Sequence, residues 1–230
     1  MKRLQDMKHQ NLSDTVYEAL CDALMQGNFK PGERLRIREL AKELGTSVTP
    51  IRDAILRLSY DDAITFLSPR HIQVPIITPE RYLEIRAIRV RLEGLAAEQA
   101  AVNVTKSTLD DLAKIVKRHE TALGRGDGVT SAKLNQAFHL QLSVIAGLPT
   151  LRGVLRKLWL QIGPLLGEVY SQGDRLMVQH HYEVLEALEK NDPEAASRAI
   201  QSDITSAGDL LLRHIALRVE GEAKSTAEAA

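Results

Sequence analysis

The chain has 230 residues, which is long for one average domain and enough for two small ones. Lys and Arg total 30 and Asp and Glu total 30, so the net charge is zero. This balance excludes a protein whose whole surface is positive and attracts nucleic acid. Any DNA contact must therefore come from a local patch. Aromatic residues make up only 4%, so the core consists mostly of aliphatic side chains, which favours helices. The single cysteine, Cys21, excludes an internal disulfide and fits a reducing compartment.

Neither end of the chain predicts a targeting or membrane segment. The first ten residues, MKRLQDMKHQ, are polar and lack the apolar stretch of a signal peptide. No run approaches the ~18 consecutive apolar residues of a transmembrane helix. We therefore expect a cytoplasmic protein that does not associate with a membrane, and a flexible polar tail over residues 221–230.

The first part of the chain has short helical patterns separated by glycine and proline. Apolar residues at helical spacing predict a helix over residues 13–26, which Gly27 ends. The segment FKPGERL is typical of a turn. A second helix is predicted over residues 37–44, with Gly45 directly after it.

The third helix has the clearest start signal. Thr49 is a natural N-cap, and Pro50 at the first helical position loses no hydrogen bond there. The segment AITFLSPRHIQVPI that follows predicts two short strands joined by a turn at residues 68–70. This order of helices, turn and hairpin is that of a winged helix-turn-helix. The inward face of the third helix is expected to consist of Ile51, Ala54, Ile55 and Leu58.

From about Thr78 onward the pattern is helical almost without interruption. Six helices joined by short loops imply an antiparallel bundle, so the predicted fold class is mainly α. We place the winged helix-turn-helix at residues 1–77, the bundle at 78–220 and the tail at 221–230. The predicted bundle helices cover residues 79–102, 105–123, 130–146, 151–170, 174–190 and 193–219, with capping signals at Thr78, Thr105, Asp174 and Asp192.

A helix-turn-helix places its last helix in the major groove of DNA, with the start of that helix nearest the bases. Arg52 lies one turn into this helix on its exposed side, where a guanidinium reaches a guanine edge or a phosphate. Arg38 begins the preceding helix, and Arg70 and His71 lie at the tip of the wing, where phosphates or the minor groove are within reach. The residues expected nearest the bases are Ser47, Val48, Thr49, Pro50 and Arg52.

These side chains also have a simpler interpretation as solvated residues on a small helical domain. Residues 1–78 contain 11 Lys and Arg and 10 Asp and Glu, so the local charge does not favour DNA. The order of the elements and the spacing of the residues favour it instead. A near-neutral domain binds weakly by itself, so we expect two copies to bind DNA together.

Polar residues lie on apolar helical stripes within the predicted bundle. His139 follows Asn135 by four residues, so the two share one helix face, and His181 and Asp203 lie on apolar stripes of two further helices. Polar groups in an interior are costly unless they find partners. Two interpretations stay open: a site for a divalent metal such as Zn, Ni or Mn, or core residues that bond neighbours and water. No pattern assigns more than packing or surface roles to His180, His214 and Trp159.

The segment FKPGERLRIRELAKELGTSVTPIRDAILRL resembles the turn, helix and recognition helix of the GntR family of bacterial transcription regulators. The helical remainder resembles the FCD ligand-binding domain of the FadR-type branch. The resemblance implies a homodimer that binds a two-fold symmetric operator in double-stranded DNA, with affinity controlled by a small metabolite. We expect such a regulator to be a repressor. The family's DNA-contacting positions fall on Arg38, Ser47, Val48, Thr49, Arg52 and the wing around Arg70 and His71.

Two positions depart from the family pattern in the DNA-binding part. The family usually has an arginine where this chain has Val48, and an apolar contact with a thymine methyl is the expected replacement. The wing usually carries a glycine where this chain has His71. We expect both departures to affect which operator sequence is bound, and not whether the protein binds DNA.

The resemblance also implies a ligand set in the bundle. Many FCD domains bind a divalent metal through an acidic residue and three histidines. Asn here replaces the usual carboxylate and Asp replaces the usual last histidine. Arg89, one turn before Glu93, is typical of a surface ion pair, but in the family an arginine here often meets a carboxylate effector, with Arg86 as a second candidate. The metal positions fall on Asn135, His139, His181 and Asp203.

Two other functions have to be weighed against a metabolite-responsive regulator. A metal-dependent enzyme in the bundle needs an activated water and a general base, and the sequence has no HExxH motif, nucleophile elbow or phosphate loop. A helical interaction module that has lost DNA binding is the other alternative. We expect a regulator and no enzymatic activity.

Overall fold

The computed structural model describes residues 12–68, 70–170 and 176–228 of the chain. Within these ranges the protein is mainly helical, with one small sheet, as predicted. None of the described helices combines the length and apolar character needed to cross a membrane. The elements are α1 (Leu12–Met25), β1 (Arg34–Leu35), α2 (Ile37–Glu43), α3 (Val48–Tyr60), β2 (Thr65–Ser68), β3 (His71–Gln73), α4 (Pro79–Asn103), α5 (Lys106–Gly124), α6 (Gly128–Ile145), α7 (Pro149–Tyr170), α8 (Leu176–Glu189) and α9 (Pro193–Glu228).

The N-terminal part is a winged helix-turn-helix whose wing contains the predicted hairpin. Strands β2 and β3 pair in antiparallel fashion, and the sheet order is β1-β3-β2. The short strand β1 was not predicted, because two residues show no periodicity and FKPGERL indicates a turn. Gly32, with φ of 80°, turns the chain and donates its N–H to the carbonyl of Val74, which fixes the start of β1 beside β3. Pro69, in the predicted turn of the wing, lies outside the described residues.

Helix α3 starts earlier than predicted, so Thr49 is not its N-cap. The N-cap is Ser47, in extended conformation, and the helix begins at Val48. Pro50 therefore lies within the first turn, where its missing N–H still lacks an intrahelical partner. The inward stripe is confirmed, with Ile51, Ala54, Ile55 and Leu58 all buried.

The six helices α4–α9 form the predicted bundle, in which α4 packs along α9 and α5 along α6. The caps at Thr78, Thr105 and Asp192 are confirmed by hydrogen bonds from backbone N–H groups, and Asp127 adds an unpredicted cap at α6. Asp174 lies outside the described residues. Helix α9 continues to Glu228, so residues 221–228 are helical where a flexible tail was expected.

The two parts of the chain share one hydrophobic core. Leu24 of α1 belongs to the same buried cluster as Trp159 and Leu165 of α7 and Ile215 of α9. Helix α1 packs directly on α7. The two predicted domains that meet near Thr78 therefore do not have separate hydrophobic cores.

Backbone meets backbone where α1 ends against α7. A Cβ on Gly163 would lie 2.5 Å from the carbonyl oxygen of Leu24, and one on Gly167 would lie 2.9 Å from that of Gly27. Gly27 also has φ of 73°, which L side chains rarely adopt. Glycine is thus required on both sides of this contact.

We expect Gly163→Ala to lower the free energy of unfolding by about 1–3 kcal/mol, because only a backbone shift relieves the overlap with α1. The matched control is Gly153→Ala on the same helix, where an added Cβ meets nothing within 4 Å. That variant should gain up to about 1 kcal/mol from helix propensity. Chemical denaturation of both variants measures the difference, and equal stabilisation of the two would contradict the contact.

Candidate functional site

The start of α3 and the preceding helix α2 both carry exposed side chains. Ser47, Thr49 and Arg52 are exposed, and Arg38 is exposed on α2. Val48 is half-buried, so part of its side chain stays accessible at the same end. Pro50 is buried, so its side chain packs inward.

The arginines of this region differ in whether they are already paired. Arg57 bonds Asp14 at 2.5 Å and lies 3.9 Å above the ring of Tyr17. Within the described ranges, the side chains of Arg38 and Arg52 have neither an ion pair nor a hydrogen bond. These unpaired, exposed guanidinium groups on α2 and α3 are the candidates for the local positive patch that DNA binding by a near-neutral chain requires.

The wing presents a second basic position. Arg70 is exposed at its tip and His71 is half-buried beside it. The carbonyl of Arg70 accepts a 3.1 Å hydrogen bond from Nη2 of Arg34, which ties the tip to β1. A register shift between Phe66 and Ser68 bends β2 at the same place. The backbone of the wing tip is thus held by the Arg34 side chain, while the side chain of Arg70 is exposed.

A second site lies inside the bundle, where α6, α8 and α9 meet. His139 Nε2 lies 3.1 Å from one carboxylate oxygen of Asp203, and His181 Nε2 lies 3.6 Å from the other. One ligand atom from each of these residues falls within 4.8 Å of the others, and all three side chains are buried. The structure therefore brings together three of the four predicted metal ligands.

Asn135, the fourth predicted ligand, is buried one turn before His139 on the same helix. Its side-chain oxygen has no hydrogen-bond partner among the described residues. An orphaned buried oxygen one helical turn from His139 fits, together with His181 and Asp203, a mixed nitrogen and oxygen donor set. The residues present are thus chemically suited to a divalent cation.

Glu93 of α4 is a member of this site that the sequence did not reveal. Its Oε2 lies 2.5 Å from His139 Nδ1, and its Oε1 accepts a 2.6 Å hydrogen bond from Nε of Arg89. The carboxylate fixes the orientation of the His139 ring and leaves Nε2 facing Asp203. Metal-binding histidines in proteins are held in this way by a carboxylate on their other nitrogen.

The charges of the site shift the protonation of each group. Burial alone would lower the pKa of His139, but Glu93 and Asp203 outweigh it and raise that pKa to about 9. Burial would raise the pKa of Asp203, but His181 and His139 lower it to about 2. Burial lowers the pKa of His181 to about 3, so its ring is neutral. At neutral pH the His139 ring is therefore protonated, and together with Arg89 it balances the charges of Glu93 and Asp203. A metal ion bound at Nε2 of His139 would replace this proton.

Arg89 and Arg86, the predicted effector contacts, lie in different environments. The Arg89–Glu93 pair is buried, with side chains 7% and 2% exposed, so the interpretation as a surface pair is wrong. The Arg89 guanidinium also lies 4.1 Å above the ring of Trp159. Arg86 instead bonds the exposed Asp209 at 2.6 Å, so the structure does not bring it to the buried cluster.

Two aromatic groups near the cluster were not recognised as part of it. Trp159 is buried on α7, with its ring centre 5.1 Å from that of His139. His119 is fully buried on α5, with its ring centre 5.4 Å from that of His181. The signal for His119 was available, because it continues the helical stripe of Leu112 and Val116.

Sequence comparison with known families matches both parts of the chain. Residues 12–74 match the bacterial regulatory proteins of the gntR family, and residues 84–206 match the FCD domain. The chain belongs to the GntR family of bacterial transcription regulators. It carries the FCD domain as its second part, as the resemblance implied.

Several GntR-type relatives resemble the chain over most of its length. McbR of Escherichia coli K12 is 31% identical over 198 residues, covering 84% of this chain and 90% of McbR. The "Probable D-xylose utilization operon transcriptional repressor" of Paenarthrobacter nicotinovorans is 29% identical over 201 residues, covering 85% of this chain and 86% of that protein. Both are named as regulators of transcription rather than enzymes, in agreement with the prediction.

Solved structures confirm the fold. The structure of E. coli McbR/YncC superposes with a TM-score of 0.84 at 28% identity, covering 90% of this chain and 99% of that one. A GntR regulator from Rhodococcus sp. RHA1 superposes with a TM-score of 0.73 at 20% identity, covering 87% and 97%, and shows the same fold.

We expect Glu93→Gln to lower the free energy of unfolding by about 3–5 kcal/mol, because it leaves the Arg89 charge buried without its counterion. The control is Glu84→Gln on the same helix, which loses an exposed pair with Arg81 at 2.9 Å. An exposed pair contributes less than about 1 kcal/mol. Denaturant unfolding of both variants checks this, and similar small losses would show that the Arg89–Glu93 pair is not buried.

Proposed function

We propose that this GntR regulator binds a two-fold symmetric operator as a homodimer and responds to a small carboxylate effector in the bundle. One observation carries the proposal, which is that α7 contacts both functional regions. Trp159 of α7 packs against His139 and Arg89 in the buried site. Gly163 and Gly167 of the same helix lie against the end of α1, which packs on the recognition helix α3. A change in the buried site therefore has a packed route to the DNA-binding part.

The unpaired arginines support a direct role in DNA binding. Arg52 reaches base edges or phosphates from the first turns of α3, while Arg38 and Arg70 reach the phosphate backbone on either side. Three such groups in one near-neutral domain bind weakly, so two linked copies are required for useful affinity. The operator of a homodimer is then two-fold symmetric. The relative named as a repressor supports repression as the mode of control.

The buried donor set supports a divalent metal as part of the sensor. His139, His181 and Asp203 would hold it, and the Asn135 oxygen would add a weaker fourth contact. This mixture of nitrogen and oxygen donors suits Zn, Ni or Mn. When bound, such a metal supplies a positive anchor for the carboxylate of an effector.

Polar groups around the donor set support a small organic acid as the effector. Besides the Asn135 oxygen assigned to the metal, Ser131 Oγ and Trp159 Nε1 are buried without hydrogen-bond partners within the described ranges. Such groups favour a ligand with hydroxyl or carbonyl groups as well as a charge. The Arg89 guanidinium stacks on Trp159, and we expect it to bind the carboxylate of the acid. An effector controls affinity only if it binds the DNA-competent and DNA-incompetent dimers unequally.

We expect Arg52→Ala to weaken operator binding by tenfold or more at matched salt, because a guanidinium contact to a base contributes about 1–3 kcal/mol. The duplex is the one that the wild-type protein enriches from random DNA, and fluorescence anisotropy measures its affinity. Arg198→Ala, which removes the same charge from an exposed position on α9, should bind as the wild type does. Equal affinity of the Arg52 variant would show that α3 is not the recognition helix.

For the metal, we expect protein purified without chelator to contain a divalent ion by elemental analysis, and chelator to lower its melting temperature. A ligand that binds only the folded state stabilises it by about 2.7 kcal/mol at a hundred times its dissociation constant. Asp203→Asn should abolish the shift, and Asp209→Asn, an exposed control on the same helix, should retain it. Absence of metal together with an unchanged melting temperature on metal addition would eliminate the site.

A further inference from the structure

His119 is a buried histidine with no assigned role. Neither of its ring nitrogens has a hydrogen-bond partner among the described residues. Buried polar atoms are normally paired, so this ring requires a partner in some state of the protein. Its centre lies 5.4 Å from that of His181, nearly the same spacing as the 5.3 Å between His139 and His181. The His181 ring thus lies within about the same distance of two other imidazoles, those of His119 and His139.

His181 lacks the support that His139 receives. Its Nε2 lies 3.6 Å from Asp203 and faces the donor set, which leaves Nδ1 as the second nitrogen. In a metal-bound histidine the second nitrogen donates its proton to an acceptor that fixes the tautomer and the ring orientation. His139 has Glu93 in that place at 2.5 Å. The ring stacked on His181 at 4.1 Å is that of Phe138, which has no nitrogen or oxygen acceptor.

We propose that His119 is a positioning residue that, in the metal-bound protein, accepts a hydrogen bond from Nδ1 of His181 and holds His181 in its metal-binding orientation. In the structure the two rings have a spacing close to that of such a bond, and Nδ1 of His181, like both His119 nitrogens, has no other partner among the described residues. Two imidazoles joined by an N–H···N bond of about 2.9 Å have ring centres a little over about 5 Å apart, close to the spacing observed. Tyr170 also packs against His119, with ring centres 5.9 Å apart. The inference rests on the proposed metal site, and it makes α5 part of that site.

The test compares zinc affinity in the full-length protein by competition with a chromophoric chelator. His119→Phe keeps the ring and removes both nitrogens, and its zinc affinity should fall by about 10–100-fold, as when other supporting partners of metal ligands are removed. His119→Gln supplies an amide oxygen as acceptor and should recover most of the affinity. The matched control is His180→Phe, since His180 is the neighbour of His181 and bonds Glu183 instead.

A second measurement needs no variant. Nitrogen-15 spectra of imidazole-labelled, zinc-loaded wild type should show His181 with Nε2 on the metal and a protected proton on Nδ1. The opposite tautomer, or a rapidly exchanging proton, overturns the proposal even if His119→Phe fails to fold.

The outcomes separate this inference from the metal site itself. Wild-type affinity in His119→Phe overturns the role of His119 and leaves the metal site standing. A loss of one nitrogen ligand in the cobalt absorption spectrum of His119→Gln also overturns it, because His119 would then bind the metal directly. If the wild type binds no zinc, cobalt or nickel, the proposed metal site fails and the role of His119 fails with it.

Discussion

The carboxylate of Glu93 is the constraint on which the interior of the bundle depends. A charge at 2% exposure is tolerable only when hydrogen bonds and opposite charges surround it. Arg89 supplies one partner from the same helix, and His139 supplies the other from α6. These bonds determine where the Arg89 guanidinium stacks and which His139 nitrogen faces Asp203. The positions of α4, α6 and α9 are therefore linked through one buried group.

Helix α7 extends this linkage toward the DNA-binding part. At Trp159 it lies against the polar cluster, and one to two turns later its glycines lie against α1. The two parts of the chain consequently share a core, although the sequence places a boundary between them. The buried polar cluster and the winged helix-turn-helix are thus joined by packing within the chain.

The sequence predicted what depends on periodicity and missed what depends on packing between helices. The stripe from Ile51 to Leu58 and the cap at Thr105 are local patterns, and both are confirmed. Strand β1 is too short to show a period, and Ser47 competes with Thr49 as a cap, so both errors are local ambiguities. The candidate ligands were found as polar residues on apolar helical stripes, and family resemblance then favoured the metal interpretation over that of core residues. Glu93 was missed because an arginine and a glutamate four residues apart have the same pattern on a surface and in a core.

The glycine contact between α1 and α7 has a mechanical consequence. Most helix interfaces contain side chains that change rotamer and absorb small displacements of one helix against the other. At Gly27, Gly163 and Gly167 the main chains touch, and no rotamer exists to take up such a displacement. The contact between α1 and α7 therefore resists a closer approach of the two helices. A tilt of α7 toward α1 would displace α1, the first helix of the winged helix-turn-helix, by a comparable distance.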